Sequence, residues 1–139
     1  MVQPNDDFVW PVRVYYEDTD SAGVVYYANY LKFLERARTE WLRRLGFEQD
    51  ALRERHNVLF AVSRLTIEYL QPARFNDMLS VGVRMRRLGP ATLTLGQTVR
   101  RDPNPLLCRS EVRIACVAAD TLRPCAMPAF VVSELKRDH

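Results

Sequence analysis

The stretch YYEDTDSAGVVYYANYLKFLERARTEWLR, residues 15–43, carries two patterns in succession. Glu17, Asp18 and Asp20 place three acids within four residues, and Asp18 to Gly23 reads as a turn-like break of Asp, Thr, Ser and Gly. From Ala28 the period becomes helical. Tyr30, Leu34, Ala37, Trp41 and Leu45 recur at steps of three and four, while Lys32, Glu35, Arg36, Thr39, Glu40 and Arg43 fall mostly on the other face. The predicted helix spans Ala28 to Leu45, roughly 25 Å at ~1.5 Å per residue, with Gly46 as its C-terminal stop. No other long helical pattern occurs in the chain.

Outward from this stretch the chain reads as strands. Phe8 to Glu17 is rich in Val, Tyr and Trp, and Pro11 inside it predicts an edge position or a bulge. Val62 to Leu70, Met78 to Arg87, a run containing Leu93, Leu95 and Val99, and Leu106 to Val117 each alternate apolar with polar residues. Pro72, Asn76-Asp77, Leu88-Gly89-Pro90 and Asp102-Pro103-Asn104-Pro105 separate them. Phe47 to Arg55 and Pro128 to Lys136 suit short helices, and residues 1–7 suit a loose N-terminus. One strand, one long helix, then four or more antiparallel strands predict an α+β layer structure, because the apolar helix face must be covered by the sheet. At 139 residues the expectation is a single domain, 1–139.

Composition narrows the function classes. The apolar fraction of 47% and charged fraction of 27% are those of a globular chain with an ordinary core. A net charge of +3, with signs interspersed, gives no footprint for nucleic acid. Arginine far outnumbers lysine, which suits planar contacts to phosphate or carboxylate. Arg84, Arg86 and Arg87, just before Gly89-Pro90, form the best local cluster, with Arg74 and Arg64 as alternatives; a solvated surface explains the same residues. Three cysteines without a CxxC spacing argue against a disulfide framework or a zinc site, and Cys108 and Cys116 fall in an apolar strand pattern that places them in the core. No signal-peptide pattern and no apolar run of membrane-spanning length is present, so a soluble, reduced, cytoplasmic protein is expected.

The acids of residues 17–20 precede a bend that runs into a helix N-terminus. Unpaired N–H groups at such an end polarise a carbonyl or hold an oxyanion, and an acid beside them can act as nucleophile or general base. The combination suits acyl transfer. The same residue types also serve capping and turns, and the residues alone leave both readings standing. Glu17, Asp18 and Asp20 could begin a divalent-metal site, but no His or further acidic cluster completes it.

These residues resemble a known family. The pattern Asp-x-Asp-x-x-Gly-Val-Val-Tyr, followed by Asn-Tyr and Glu-Arg-Ala-Arg, is similar to the opening of the 4-hydroxybenzoyl-CoA-thioesterase-like hotdog proteins. Within them the match is closest to the acyl-CoA thioesterases associated with the Tol–Pal system. Ser63 to Tyr69 and Pro72-Ala73-Arg74 through Asp77 extend it, so the resemblance is strongest over residues 12–80. It implies a curved antiparallel sheet of about five strands wrapped around one long helix. It also implies dimers that pair their sheets, tetramers, and sites at subunit interfaces. The second Asp of Asp-x-Asp, here Asp20, would be the catalytic carboxylate, and Asp18 a turn or supporting group. Tyr27 would supply a backbone N–H to the thioester carbonyl. CoA phosphates need cations, for which the local cluster Arg84, Arg86 and Arg87 is the candidate. The implied substrate is an acyl-CoA, with an acyl carrier protein as a further partner and no cofactor or metal. Many Tol–Pal-type members carry His where this chain has Tyr27, so an imidazole role is lost here while a backbone donor survives. His56 and His139 stand at other positions. A hotdog module that binds acyl groups or partners without catalysis is the alternative.

Overall fold

A computed structural model describes residues 6–102 and 104–137. Residues 1–5 of the expected loose terminus, and His139, lie outside them. The elements are β1 (Phe8–Arg13), a 3-10 turn (Tyr16–Asp18), α1 (Asn29–Arg44), α2 (Gln49–His56), β2 (Val58–Tyr69), β3 (Met78–Leu88), β4 (Thr92–Arg101), β5 (Leu106–Ala118) and α3 (Ala129–Arg137). The strands form one antiparallel sheet in the order β1-β3-β4-β5-β2. Pro11 lies in β1, an edge strand, where its missing N–H costs no ladder bond.

The pleat sorts each strand into two faces. Leu79, Val81 and Val83 of β3, Leu93, Leu95 and Val99 of β4, and Cys108, Val112, Ile114 and Cys116 of β5 are buried in one core with Tyr30, Phe33, Leu34, Ala37 and Trp41 of α1. Burying a side chain of this size stabilises by about 1.5–3 kcal/mol, so the α1 stripe alone is decisive for the fold. Register slips at Val62/Arg64, Met85/Arg87 and Val99/Arg100 mark bulges, which bend their strands and curve the sheet around the helix. The architecture is the α+β hotdog arrangement.

Helix α1 stops by a two-bond C-terminal motif. Gly46 N–H donates to the Arg43 carbonyl, Phe47 N–H donates to the Leu42 carbonyl, and Gly46 takes φ +98°. One polar group is buried under the helix. Gln97 of β4 donates from Nε2 to the Leu34 carbonyl at 3.0 Å and accepts from Arg38 Nη1 at 3.1 Å. This ties the middle of α1 to the sheet. At the other end, Asp7 N–H donates to the Val83 carbonyl, and its carboxylate accepts from Met85 N–H at 2.8 Å. Asp7, the last residue of the expected loose terminus, is thus tied to β3 by one backbone and one side-chain bond.

The two sheet edges differ. β1 is six residues long, whereas β2 runs for twelve and, among the described residues, pairs only with β5. The β2 residues facing the helix side, Phe60, Val62, Leu65, Ile67 and Tyr69, stay half-buried or exposed.

Candidate active site

The chain between β1 and α1 is built by backbone bonds around Asp18. The Asp18 carboxylate accepts from Tyr15 N–H at 2.8 Å, while its carbonyl accepts from Tyr26 N–H at 3.0 Å and from Asn29 Nδ2 at 2.8 Å. Asp18 is buried, and it fixes both the exit from β1 and the entry to α1. Asp20 differs. Its N–H donates to the Val24 carbonyl and its carbonyl accepts from Gly23 N–H, closing a turn in which Gly23 takes φ +81°. Its Oδ1 accepts from Ala22 N–H at 2.9 Å. No described residue donates to Oδ2, and the residue is exposed.

Thr19 and Val25 form an antiparallel bridge, so Tyr26 and Tyr27 run back past Asp18 and Glu17 before the chain enters α1. Tyr26 N–H is taken by Asp18, and Asn29 N–H by the Tyr26 carbonyl. Among the described residues the Tyr27 N–H has no acceptor. The Tyr27 carbonyl accepts from Tyr69 Oη at 2.9 Å. Burial, then the neighbouring Cys108 and Tyr27, push the Tyr69 hydroxyl above its ordinary pKa, so it stays a donor at neutral pH. Tyr30 Oη accepts from Ala73 N–H at 2.9 Å, and the Ala73 carbonyl accepts from Val25 N–H. Burial likewise raises the Tyr30 hydroxyl. The end of β2 and the loop after it thus hold the head of α1 through two tyrosines.

The segment thus offers a solvent-facing carboxylate at Asp20 and, seven residues on, a free amide just before the long helix. Exposed aromatic rings surround it. Tyr16 stacks on Phe75 at 3.8 Å, Tyr26 lies 4.9 Å from Tyr27, and Tyr69 meets Tyr27 edge-on at 6.3 Å. Tyr16 is 76% exposed and Tyr27 61%, a concentration of uncovered apolar surface.

The arginines fall elsewhere. Arg84 and Arg86 alternate with the core-facing Val83 and Met85, and the bulge between Met85 and Arg87 returns Arg87 to the same face, opposite α1. Tyr69 is level with Val81 across Cys108 and Val99, and Arg87 lies six residues further along β3, roughly 20 Å at ~3.3 Å per residue. Within one chain these arginines do not meet Asp20. Arg64 joins them on the outer face, where Arg64, Arg86, Arg87, Arg113, Thr94 and Glu111 help line an open cavity of about 540 Å³. Arg74 is the exception, because its backbone bridges Val24 beside the acidic turn. Tyr30, Phe33 and Leu34 are core, while Phe60 is half-buried beside a smaller cavity of about 200 Å³ with Arg38 and Thr39. His56 ends α2, exposed, with its ring 4.7 Å from Phe130. Among the described residues no three His, Cys, Asp or Glu side chains gather to hold a metal. No described helix is long and apolar enough to cross a membrane.

Sequence reasoning missed Tyr69 and Tyr30 as supports of the site. Both occupy inward-facing positions of their elements, and the usable signal was chemical: a tyrosine near the core needs a partner for its hydroxyl.

Comparison with known proteins agrees with this architecture. Residues 14–135 match the thioesterase-like superfamily. The acyl-CoA thioester hydrolase YbgC of Escherichia coli O6:H1 is 45% identical over 130 residues, covering 94% of this chain and 96% of that protein. The acyl-CoA thioesterase YbgC of Haemophilus influenzae is 43% identical over 127 residues, covering 91% and 93%. The crystal structure of a probable thioesterase from Bartonella henselae is 32% identical with a TM-score of 0.82, covering 86% of this chain and 98% of that one. This chain belongs to the thioesterase-like superfamily.

Proposed function

We propose that this chain is an acyl-CoA thioester hydrolase, working as one domain in a homodimer or homotetramer in the cytoplasm. The observation that carries the reading is that one short segment leaves two groups unengaged: Asp20 Oδ2 in the turn, and the Tyr27 N–H at the approach to α1. The 45% identity to a named acyl-CoA thioester hydrolase supports the same chemistry.

In the proposed reaction the thioester carbonyl oxygen accepts from Tyr27 N–H, which polarises the carbon and stabilises the oxyanion. Asp20 Oδ2 then attacks that carbon and expels CoA to give a mixed anhydride, which a water opens at the Asp20 carboxyl carbon; alternatively Asp20 takes a proton from a water that attacks the thioester directly. CoA leaves as the thiol and the acyl group as the free acid. Both groups are open to solvent in the lone chain, and such dipoles are worth most where water is excluded. A second copy supplies that cover. The long, one-sided β2 edge, with its half-covered apolar row, suits pairing to the β2 of a second copy, and β2 ends at Tyr69 beside Tyr27. The CoA phosphates need cations, for which Arg84, Arg86 and Arg87 of a neighbouring copy, or Arg74 of the same chain, are the candidates.

The test is thiol release from a panel of acyl-CoAs of differing chain length and aromatic character, run beside an acyl carrier protein thioester. Release from several acyl-CoAs that is lost in Asp20→Asn supports the reading. No release from any of them favours a non-catalytic acyl-binding module. A single turnover in labelled water separates the two routes, because a nucleophilic Asp20 delivers its own unlabelled oxygen to the first product.

A further inference from the structure

The mechanism leaves the cysteines unused. Cys116 lies in β5 with its side chain on the helix side, and Cys125 lies in the segment that returns along β5 before α3. The two are placed opposite each other by the backbone. Cys125 N–H donates to the Cys116 carbonyl at 3.0 Å, and the neighbouring residues Val117 and Pro124 form an antiparallel bridge. Residues opposite one another in such a pairing have Cα atoms about 5.5 Å apart, inside the range that disulfides span. Their sulfurs are already in contact at 3.7 Å, both as free thiols. Side-chain rotation, without moving the backbone, can bring them to the bonding distance of about 2 Å.

The two thiols are not equivalent. Cys116 is buried, and burial first, then the contact with Cys125, pushes its thiol up to about 12. Cys125 is half-buried, so an oxidant in solution reaches it first. Cys108 is wholly buried in the same strand, with its thiol also pushed up to about 12 by burial and no other cysteine in contact.

We propose that Cys116 and Cys125 are a modification site, oxidised by peroxide to a reversible intrachain disulfide. Cys125 Sγ attacks one oxygen of hydrogen peroxide and the O–O bond breaks, giving the Cys125 sulfenic acid and water. Cys116 Sγ then attacks the Cys125 sulfur. The S–S bond forms, the S–O bond breaks, and hydroxide leaves with the Cys116 proton as a second water. Two thiols lose two electrons and two protons, and one peroxide becomes two waters. A small-molecule thiol reverses the reaction. The bond staples the return segment to β5. That segment also carries Met127, whose N–H donates to the Pro90 carbonyl, and leads into α3, so the disulfide clamps the C-terminal part of the chain to the sheet. It also diverts the accessible Cys125 from irreversible over-oxidation.

The experiment treats the full chain with hydrogen peroxide and maps its peptides without reduction. The expected product has lost two hydrogens, about 2 Da, and links Cys116 to Cys125. Dithiothreitol restores both thiols, and the oxidised form melts a few degrees higher. Cys125→Ser abolishes the loss of mass, and Cys108→Ser leaves it intact. The proposal is overturned if Cys125 proceeds to the sulfinic or sulfonic acid while Cys116 still takes an alkylating reagent on unfolding. It is equally overturned if the cross-link joins two chains or uses Cys108. Because Cys125 is the less buried partner, its serine variant remains a valid control even if Cys116→Ser fails to fold.

Discussion

The acidic turn at the head of α1 and the arginine-bearing outer face of the sheet are built on opposite plans. In the turn, neighbouring groups have separate duties. Asp18 is buried and spends its carboxylate and carbonyl on three donors, whereas Asp20, two residues on, gives one oxygen to Ala22 N–H and leaves the other to solvent. On the outer face, charge is repeated rather than assigned. Arg64 stands directly opposite Arg113 across β2 and β5, a like-charge pairing that costs stability, and Arg113 is followed across β4 by Thr94 and Arg87. Arg109 there pairs with Glu68 at 2.5 Å, both well exposed. A site made by assigned groups should fail when one atom changes. A site made by repeated charge should weaken by degrees and respond to salt.

The largest effect is expected at Asp20. Asp20→Asn keeps the shape, and its side-chain oxygen can still accept from Ala22 N–H, so the turn should hold and the melting temperature should stay near wild type. Loss of a positioned base or nucleophile should lower kcat by about 10²-fold or more. A variant with intact folding and near-normal kcat would remove Asp20 from the mechanism and end the contrast with Asp18.

Next in size is the outer face. Arg84→Ala combined with Arg87→Ala should raise KM for acyl-CoA roughly tenfold at low ionic strength, two exposed charges being worth up to about 1 kcal/mol each. The kcat should be unchanged, and the gap should close as salt is added. An unchanged KM, with a rise in Arg74→Ala instead, would place the phosphate contacts beside the turn in the same chain.

The degree to which these two regions were legible follows from where their contacts come from. The long helix was expected at Ala28–Leu45 and is found at Asn29–Arg44, because its apolar stripe is a local pattern that the core must use. Strands β3 to β5 were legible for the same reason. The first strand ends at Arg13 rather than Glu17, since the Asp18 carboxylate takes Tyr15 N–H and winds Tyr16–Asp18 into a 3-10 turn. A side-chain bond of this kind leaves no trace in hydrophobic period. β2 begins at Val58, four residues before the alternation starts, because Val58 to Val62 is continuously apolar. Asp20 was singled out by resemblance; the bonds that distinguish it from Asp18 are visible only in three dimensions. The tyrosine supports were illegible because they are distant in sequence, Tyr69 to Tyr27 across 42 residues and Tyr30 to Ala73 across 43.

Tyr30→Phe tests those supports at intermediate scale. Removing the hydroxyl leaves Ala73 N–H buried without its acceptor, which should cost about 1–3 kcal/mol and lower the melting temperature by several degrees. The carbonyl of the same residue accepts Val25 N–H, so kcat should fall with stability if the loop aims the Tyr27 amide. A stable variant with unchanged kcat would show the turn to be self-sufficient through Asp18.

The smallest effect belongs to Asp6, a carboxylate at the edge of the arginine face. It lies over Gly82, where a Cβ would overlap it, and burial raises its pKa despite the opposing pull of Arg100. A raised carboxyl pKa means that the folded chain binds its proton more tightly than the unfolded chain does. The stability linked to this group is therefore present below the unfolded pKa of about 3.9 and is lost as pH rises through the folded value. The burial penalty on the charged carboxylate, with the neighbouring Asp7, outweighs the attraction of Arg100 and Arg84. Asp6→Asn should then raise the melting temperature slightly at pH 7 and leave it unchanged near pH 3, where the carboxyl is neutral in both states. A fall at pH 7 would mean that the arginines pull harder than burial pushes. The outer face would then resemble the acidic turn, with its charges individually answered rather than spread.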